Sequence, residues 1–300
     1  MDNQSTTNLS LPEAVSVPES VTQLGYVFVP LLFIVGVVGN SLTITVMTSE
    51  LFRTLPVSKM LIAMSLSDTV VNLLFPFNKP FMSQLIGTDI RALTSGGCKL
   101  FFWTYRFAKT GSSWMVVMIS FERFVAVWLP MKSKFITTER NVYIGMAVLY
   151  GVFAVFFGYW CSWADRVIDG SCVINSRPAG FEIQSETQPQ RYTKVNSAGR
   201  SRTTIMLLSI AISFVLLVTP NAVAHIVSYA RKEEIFETTD PIMVFLREIV
   251  QILEQMNHSI NFFLYILCSK RFKAGVIKIV TQRRRSHIDP FHTHSVTLSK

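Results

Sequence analysis

The chain has 300 residues, of which half are hydrophobic, 12% aromatic and only 16% charged, and its formal net charge is +9. A soluble domain of this length carries about 25% charged residues and shorter apolar runs, so composition excludes an ordinary soluble fold. The mean hydropathy of +0.38 agrees. A helix that crosses the hydrocarbon of a bilayer needs about 20 largely apolar residues, so the length of each apolar run decides the architecture.

Taken in chain order, Met1 to Ser20 is polar and holds no Lys or Arg, which excludes the basic start of a cleaved signal peptide and makes the first apolar stretch its own signal anchor. Asn3-Gln4-Ser5 and Asn8-Leu9-Ser10 are glycosylation acceptors, so Asn3 and Asn8 place this tail, residues 1–23, outside. Leu24 to Thr48 carries no charge, and Met60 to Phe77 carries only Asp68. Leu100 to Phe121 holds Arg106 and Lys109, and Val142 to Trp163 holds no charge. Thr203 to Ala230 has His225 alone, and Pro241 to Cys268 holds Arg247, Glu248, Glu254 and His258. Six spans are therefore expected, at about 24–48, 57–83, 98–124, 141–163, 203–230 and 241–268.

After the last span, Lys270, Arg271, Lys273, Lys278, Arg283, Arg284, Arg285 and Lys300 face the single acid Asp289. Basic residues accumulate on the cytoplasmic side, so residues 269–300 form an inside tail whose charge meets anionic lipid rather than nucleic acid. Cys98 precedes the third span and Cys172 follows the fourth, in segments that face an oxidising compartment where a disulfide can form. Cys161 and Cys268 lie near span ends, where apolar packing is expected of both and palmitoylation is an alternative for Cys268. Metal-ligand clusters, nucleophile triads and phosphate loops are missing from the sequence, so it does not read as an enzyme.

Several motifs occur in order, each on its own apolar segment. They are Gly39-Asn40, Ser65-Leu66-Ser67-Asp68, Glu122-Arg123-Phe124 with Pro130 after it, Phe214 with Pro220, and Asn261-Phe262-Phe263-Leu264-Tyr265 followed by Lys270-Arg271-Phe272. This set resembles the rhodopsin-like G-protein-coupled receptors from about Gln23 to Lys273, and the run from Asn257 to Tyr265 looks most like neuropeptide receptors of invertebrates. The resemblance implies an all-α, polytopic transmembrane bundle of the seven-helix type, with a short amphipathic helix after the last span. It departs from the family at Phe262 for a proline, Phe124 for a tyrosine, Val218 for a tryptophan, and in lacking a tryptophan midway along the fourth span.

A larger departure is that Val173 to Arg202 is polar and carries Arg177, Glu182, Glu186, Arg191, Lys194, Arg200 and Arg202 where the family's fifth helix belongs. Each central charge costs about 2.5–3.5 kcal/mol to insert, so this stretch does not span. Six spans that start outside end outside, in conflict with the basic tail. A spliced or misassembled form of a seven-helix receptor, acting at most as a non-signalling partner of a full-length one, is therefore a second reading beside a functional receptor. A transporter is a third, disfavoured because internal repeats and paired broken helices are missing.

The resemblance also implies site residues. It links Cys98 to Cys172. It makes Asp68, a lone carboxylate within a span, the centre of a sodium site with Ser112, Asn257 and Asn261, because oxygen ligands suit a hard cation. The alternative is a protonated Asp68 bonded to Asn40 and Asn261. An activation switch is implied at Glu122, Arg123, Phe214, Pro220, Asn261 and Tyr265, with Arg123 held by Glu122 at rest and Tyr265 swinging to meet it; a merely snorkelling Arg123 is the alternative. Tyr105, Lys109 and Ser112 form one stripe facing the bundle. Lys79, Tyr105, Arg106, Lys109, Asn221, His225, Arg247, Gln251 and Glu254 are the ligand-pocket candidates, with Lys109 and Glu254 able to pair with each other. Tyr105 stands where amine receptors keep an aspartate, so a peptide-like extracellular ligand is expected. A heterotrimeric G protein, membrane lipid and a receptor dimer are the expected partners. No cofactor is expected beyond an allosteric sodium ion, and the plasma membrane is the expected location, with retention in the endoplasmic reticulum if the chain misassembles.

Overall fold

A computed structural model describes residues 19–168, 170–174, 201–231 and 241–288. The long helices are α1 (Glu19–Met47), α2 (Pro56–Leu74), α4 (Ser95–Trp128), α6 (Glu139–Ala164), α7 (Ser201–Arg231) and α8 (Pro241–Ser259), the last continued by α9 (Asn261–Cys268) and α10 (Lys270–Ile288). Shorter pieces join them: a 3-10 turn at Phe75–Phe77, α3 (Lys79–Ile86), a second 3-10 turn at Ile90–Leu93, and α5 (Pro130–Ile136).

Local chemistry sets the helix starts. Pro56 and Pro130 stand at first helical positions, where the missing N–H costs nothing. Thr94 caps α4 by accepting from Gly97 N–H at 2.9 Å, and Ser269 caps α10 by accepting from Phe272 N–H at 3.2 Å. Within the apolar helices, hydroxyls fold back onto carbonyls one turn earlier, as Thr43 does to Gly39, so few polar groups remain bare where water is absent.

α1, α2, α6 and α7 are long and apolar enough to cross a membrane. Their outward faces are apolar, with Val27, Leu31, Ile34 and Val38 exposed on α1 and Val148, Val152, Val155 and Tyr159 on α6. An apolar exterior around a polar interior is the arrangement a bilayer requires. The main apolar core joins Met47, Met60, Leu61, Met64, Met115, Ile119, Met206, Ile210, Tyr265 and Phe272. Phe272, fully buried, meets the rings of Tyr265 and Phe262 edge-on at 5.4 and 5.8 Å and so pins α10 beneath the bundle.

Three features differ from the sequence expectation. The second span ends at Leu74 and continues through the Phe75–Phe77 turn, where Pro76 interrupts the ladder, into α3. The last span is broken at Ile260 into α8 and α9. Between α6 and residue 174 there is an antiparallel hairpin, β1 (Asp165–Ile168) with β2 (Ser171–Ile174), pairing Val167 with Cys172 and Arg166 with Val173. Gly170, at φ +69°, supplies the left-handed residue the tight turn needs. The expected all-helical bundle is otherwise the architecture observed.

Helix direction follows from contacts. Lys59 and Glu139, near the starts of α2 and α6, pair at 3.2 Å. α6 ends beside the start of α4, where Lys99 Nζ donates to the Ser162 carbonyl at 2.8 Å. α7 begins at the other end, because Met206, Leu207 and Ile210 pack in the cluster that holds Tyr265 and Phe272. α6 and α7 therefore run the same way, and Ile174 and Ser201 stand at opposite ends of the bundle. Apart from Val173 and Ile174 in β2 and Ser201 and Arg202 in α7, the polar connection 173–202 lies outside the described residues, as do Asn3 and Asn8.

Candidate functional site

The bundle's polar interior centres on Asp68, wholly buried on α2. Ser112 Oγ of α4 donates to Asp68 Oδ1 at 2.5 Å, and Asn261 Nδ2 of α9 donates to Oδ2 at 2.8 Å. His258 of α8 brings Nδ1 to 2.7 Å from Oδ1. Three of the four expected ion-site residues are thus joined at Asp68. Asn257 joins them through its carbonyl, which accepts from Asn261 Nδ2 at 3.2 Å. His258 takes the place beside Asp68 instead, because the break at Ile260 shifts the helical phase between Asn257 and Asn261.

The break also explains Asn40. Rather than bonding Asp68, Asn40 Nδ2 donates to the His258 carbonyl at 3.0 Å, and Asn72 Nδ2 donates to that same oxygen at 3.0 Å. Phe263 N–H bonds back only to the Ile260 carbonyl, so the helical ladder is open here although Phe262 is no proline. Asn72 is held in turn by Gln255 Nε2 at 2.5 Å and by Ser259 Oγ at 2.9 Å, both donating to its Oδ1. Side-chain amides on α1 and α2 thereby satisfy a carbonyl that hydrocarbon cannot.

Toward the hairpin end, Lys109 Nζ of α4 lies 2.7 Å from Glu254 Oε1 of α8, and the ammonium sits 5.8 Å from the Tyr105 ring centroid. Ser112 bonds Asp68 one turn further along α4, so the stripe of Tyr105, Lys109 and Ser112 does face inward. Of the other pocket candidates, Arg106 donates to Cys161 Sγ at 3.0 Å and lies over the Phe102 ring. That bond gives Cys161 a polar role where apolar packing was expected. Arg247 pairs with Glu248, which was not among the candidates, at 3.0 Å on its own helix. Asn221 and Gln251 are half-buried, while Lys79 and His225 are exposed.

The Cys98–Cys172 disulfide joins the start of α4 to β2, with Cα atoms 5.7 Å apart. Beside it, Asp89 Oδ2 accepts from the Cys172 N–H at 3.2 Å and both Asp89 oxygens accept from the Arg91 guanidinium at 2.8 Å. Burial pushes the Asp89 carboxyl up, but these donors outweigh it and hold the group below its ordinary 3.8.

At the other end of α4, Arg123 Nε pairs with Glu122 Oε2 at 2.5 Å. Tyr265, fully buried against Phe272, has no hydrogen-bond partner for its hydroxyl, and Phe214 lies partly buried on the apolar core. Pro220 sits within the unbroken run of α7.

A bundle of apolar helices with a polar centre, a disulfide-tied hairpin at one end and an arginine–carboxylate pair at the other is a polytopic membrane bundle of the seven-helix receptor type. Residues 39–178 match the family described as "7 transmembrane receptor (rhodopsin family)", and residues 181–283 match the "Serpentine type 7TM GPCR chemoreceptor Srw" family. Successive parts of the chain are thus similar to two families of seven-helix receptors. The chain is 25% identical over 146 residues to Galanin receptor 2b of Danio rerio, covering 46% of this chain and 36% of that one. It is 24% identical over 155 residues to Galanin receptor type 2 of Mus musculus, covering 52% and 39%. The matched part thus spans less than two-fifths of these relatives' own length.

Proposed function

We propose that the chain is a plasma-membrane receptor that binds an extracellular peptide-like ligand at the hairpin end of the bundle and acts on a heterotrimeric G protein at the α10 end. The observation that carries this reading is the Lys109–Glu254 pair beside Tyr105. It places a cation and a carboxylate in the interior near the mouth, where a peptide's polar backbone and charged side chains find complementary partners and a lone amine does not. The resemblance to galanin receptors, themselves peptide receptors, supports the ligand class. Arg123, Glu122 and Tyr265 are the groups proposed to respond at the inner end. In this reading residues 1–23 are outside, residues 269–300 are inside, and lipid surrounds the bundle.

A second reading is favoured by the polar run from Val173 to Arg202 and by the parallel course of α6 and α7. On it, the chain is a non-signalling form that pairs with a full-length receptor. The two are separated by one experiment. Cells expressing the full chain are challenged with galanin, a panel of amidated peptides and monoamines while nucleotide exchange on co-expressed G proteins is followed. Peptide-driven exchange establishes the receptor. A silent chain that lowers surface display of a co-expressed seven-span receptor establishes the second reading.

A further inference from the structure

Asp68 is fully buried, and among the described residues its one basic partner is His258, with no lysine or arginine in reach. The remaining polar neighbours are the hydroxyl of Ser112 and the amide of Asn261, both already donating to it. Tyr265 on α9 and Tyr150 on α6 are the nearby phenols, the latter bonded to Ser67 Oγ at 2.8 Å rather than to Asp68. The site was expected to hold a sodium ion among oxygen ligands. The residues present do not fit that ion. Asp68 Oδ1 is shared by Ser112 and an imidazole nitrogen, and Asn257, which was to supply an amide oxygen, meets the cluster through its backbone carbonyl, which accepts from Asn261 Nδ2. A nitrogen ligand suits softer metals than sodium.

We infer that the His258 imidazole, seated against Asp68 Oδ1, fills the place of the cation, so that the bundle is insensitive to sodium. A buried carboxylate is costly unless its oxygens are hydrogen-bonded, and here the imidazole, Ser112 and Asn261 all reach it. The ring nitrogen Nδ1 lies 2.7 Å from Oδ1, in the space an ion would need. The His258 backbone is fixed by the two asparagine amides on its carbonyl, so the ring cannot easily leave to make room for an ion. Sodium would have to displace the ring, not merely enter. The inference concerns the resting bundle and stands apart from the ligand and G-protein reading, since its test needs neither.

The test is the thermal midpoint of the purified full chain in detergent, at neutral pH, in about 0.15 M sodium chloride against choline chloride of the same ionic strength. The expected result is the same midpoint in both salts for the natural chain. His258→Ser, which restores an oxygen ligand and removes the base, should gain a sodium-specific rise of about 2 °C or more. That rise should vanish in His258→Ser with Asp68→Asn. A sodium-specific rise in the natural chain, abolished by Asp68→Asn alone, overturns the inference. Should the serine variant not fold, isotope-edited infrared spectra of ring-labelled histidine decide. Asp68→Asn should shift the ring mode of one of the five histidines at neutral pH, and unchanged modes overturn the inference.

Discussion

Lys109 on α4 and Glu254 on α8 face each other at 2.7 Å, the ammonium about a third exposed and the carboxylate nearly buried. Such a pair lies between a screened surface bridge and a fully desolvated one, so loss of one partner should cost about 1–3 kcal/mol. Lys109→Met and Glu254→Leu should each lower the thermal midpoint of the purified protein. The double variant should recover most of the loss, because no charge is left alone. Strictly additive losses would show that the two groups do not interact.

The hairpin is fastened to the bundle twice, by the disulfide and by Asp89. Because the folded Asp89 carboxyl titrates below its ordinary value, its contribution is complete above about pH 4 and is lost as pH falls through the folded value. Amide exchange in residues 165–174 should therefore quicken on acidification below about pH 4. In Asp89→Asn it should be faster at neutral pH and respond little to acid. An acid response of equal size in that variant would remove Asp89 as the cause.

Cys98 and Cys172 close a loop with a sequence separation of 74. A crosslink of that span is worth up to about 4 kcal/mol by the chain-entropy account. A non-reduced digest should yield the two peptides joined, and Cys98→Ala should release the hairpin to protease while α1 and α2 stay protected. Two free thiols in folded protein would contradict the bond.

Gly36 on α1 lies against the Asn72 amide so closely that an added Cβ would overlap all three of its terminal atoms. That amide is held by Gln255, Ser259 and the His258 carbonyl and cannot swing away. Gly36→Ala should cost about 1–3 kcal/mol and loosen α1 from α2. Gly151→Ala, with open space around it on α6, should be neutral or stabilising. Equal effects of the two would deny the close approach.

Phe262→Pro offers a sharper test of the break at Ile260. The His258 carbonyl is already taken by Asn40 and Asn72, so proline removes no backbone bond there, and what is lost is the ring's packing on Phe263, Phe272 and the buried core. The variant should keep its helicity by circular dichroism while its midpoint falls. Asn40→Ala, which leaves that carbonyl half-satisfied, should lower the midpoint with Phe262 intact.

Much of this was legible in the sequence because membrane solvation leaves few choices. The apolar runs from Leu24 to Thr48 and Val142 to Trp163 could be nothing but long helices, and a buried Asp68 had to find donors. Asn261 was readable as a donor, and Ser112 as a member of the same site, from the family's motif positions. His258 was not. Spacing assumes a continuous helix, and two asparagines some 186 and 218 residues away in sequence open that helix at Ile260. A histidine inside an otherwise apolar span, next to the motif, was the one available signal. The hairpin was illegible for another reason. Its strands are four residues each and owe their place to the disulfide and Asp89, neither of which leaves a periodic trace.

The oxygen of His258, gripped by Asn40 and Asn72, has a consequence for how the chain is made. Asn40 and Asn72 are synthesised in the first quarter of the polypeptide, and the carbonyl they need comes near its end. Until then the first two spans enter the bilayer with their amides unsatisfied. They must wait beside the translocation machinery, or borrow water from it, until the last span arrives to close the knot. Ribosomes stalled before residue 258 should leave α1 and α2 far more open to crosslinking by translocon components than ribosomes stalled after it, so assembly of the bundle is timed by the arrival of α8.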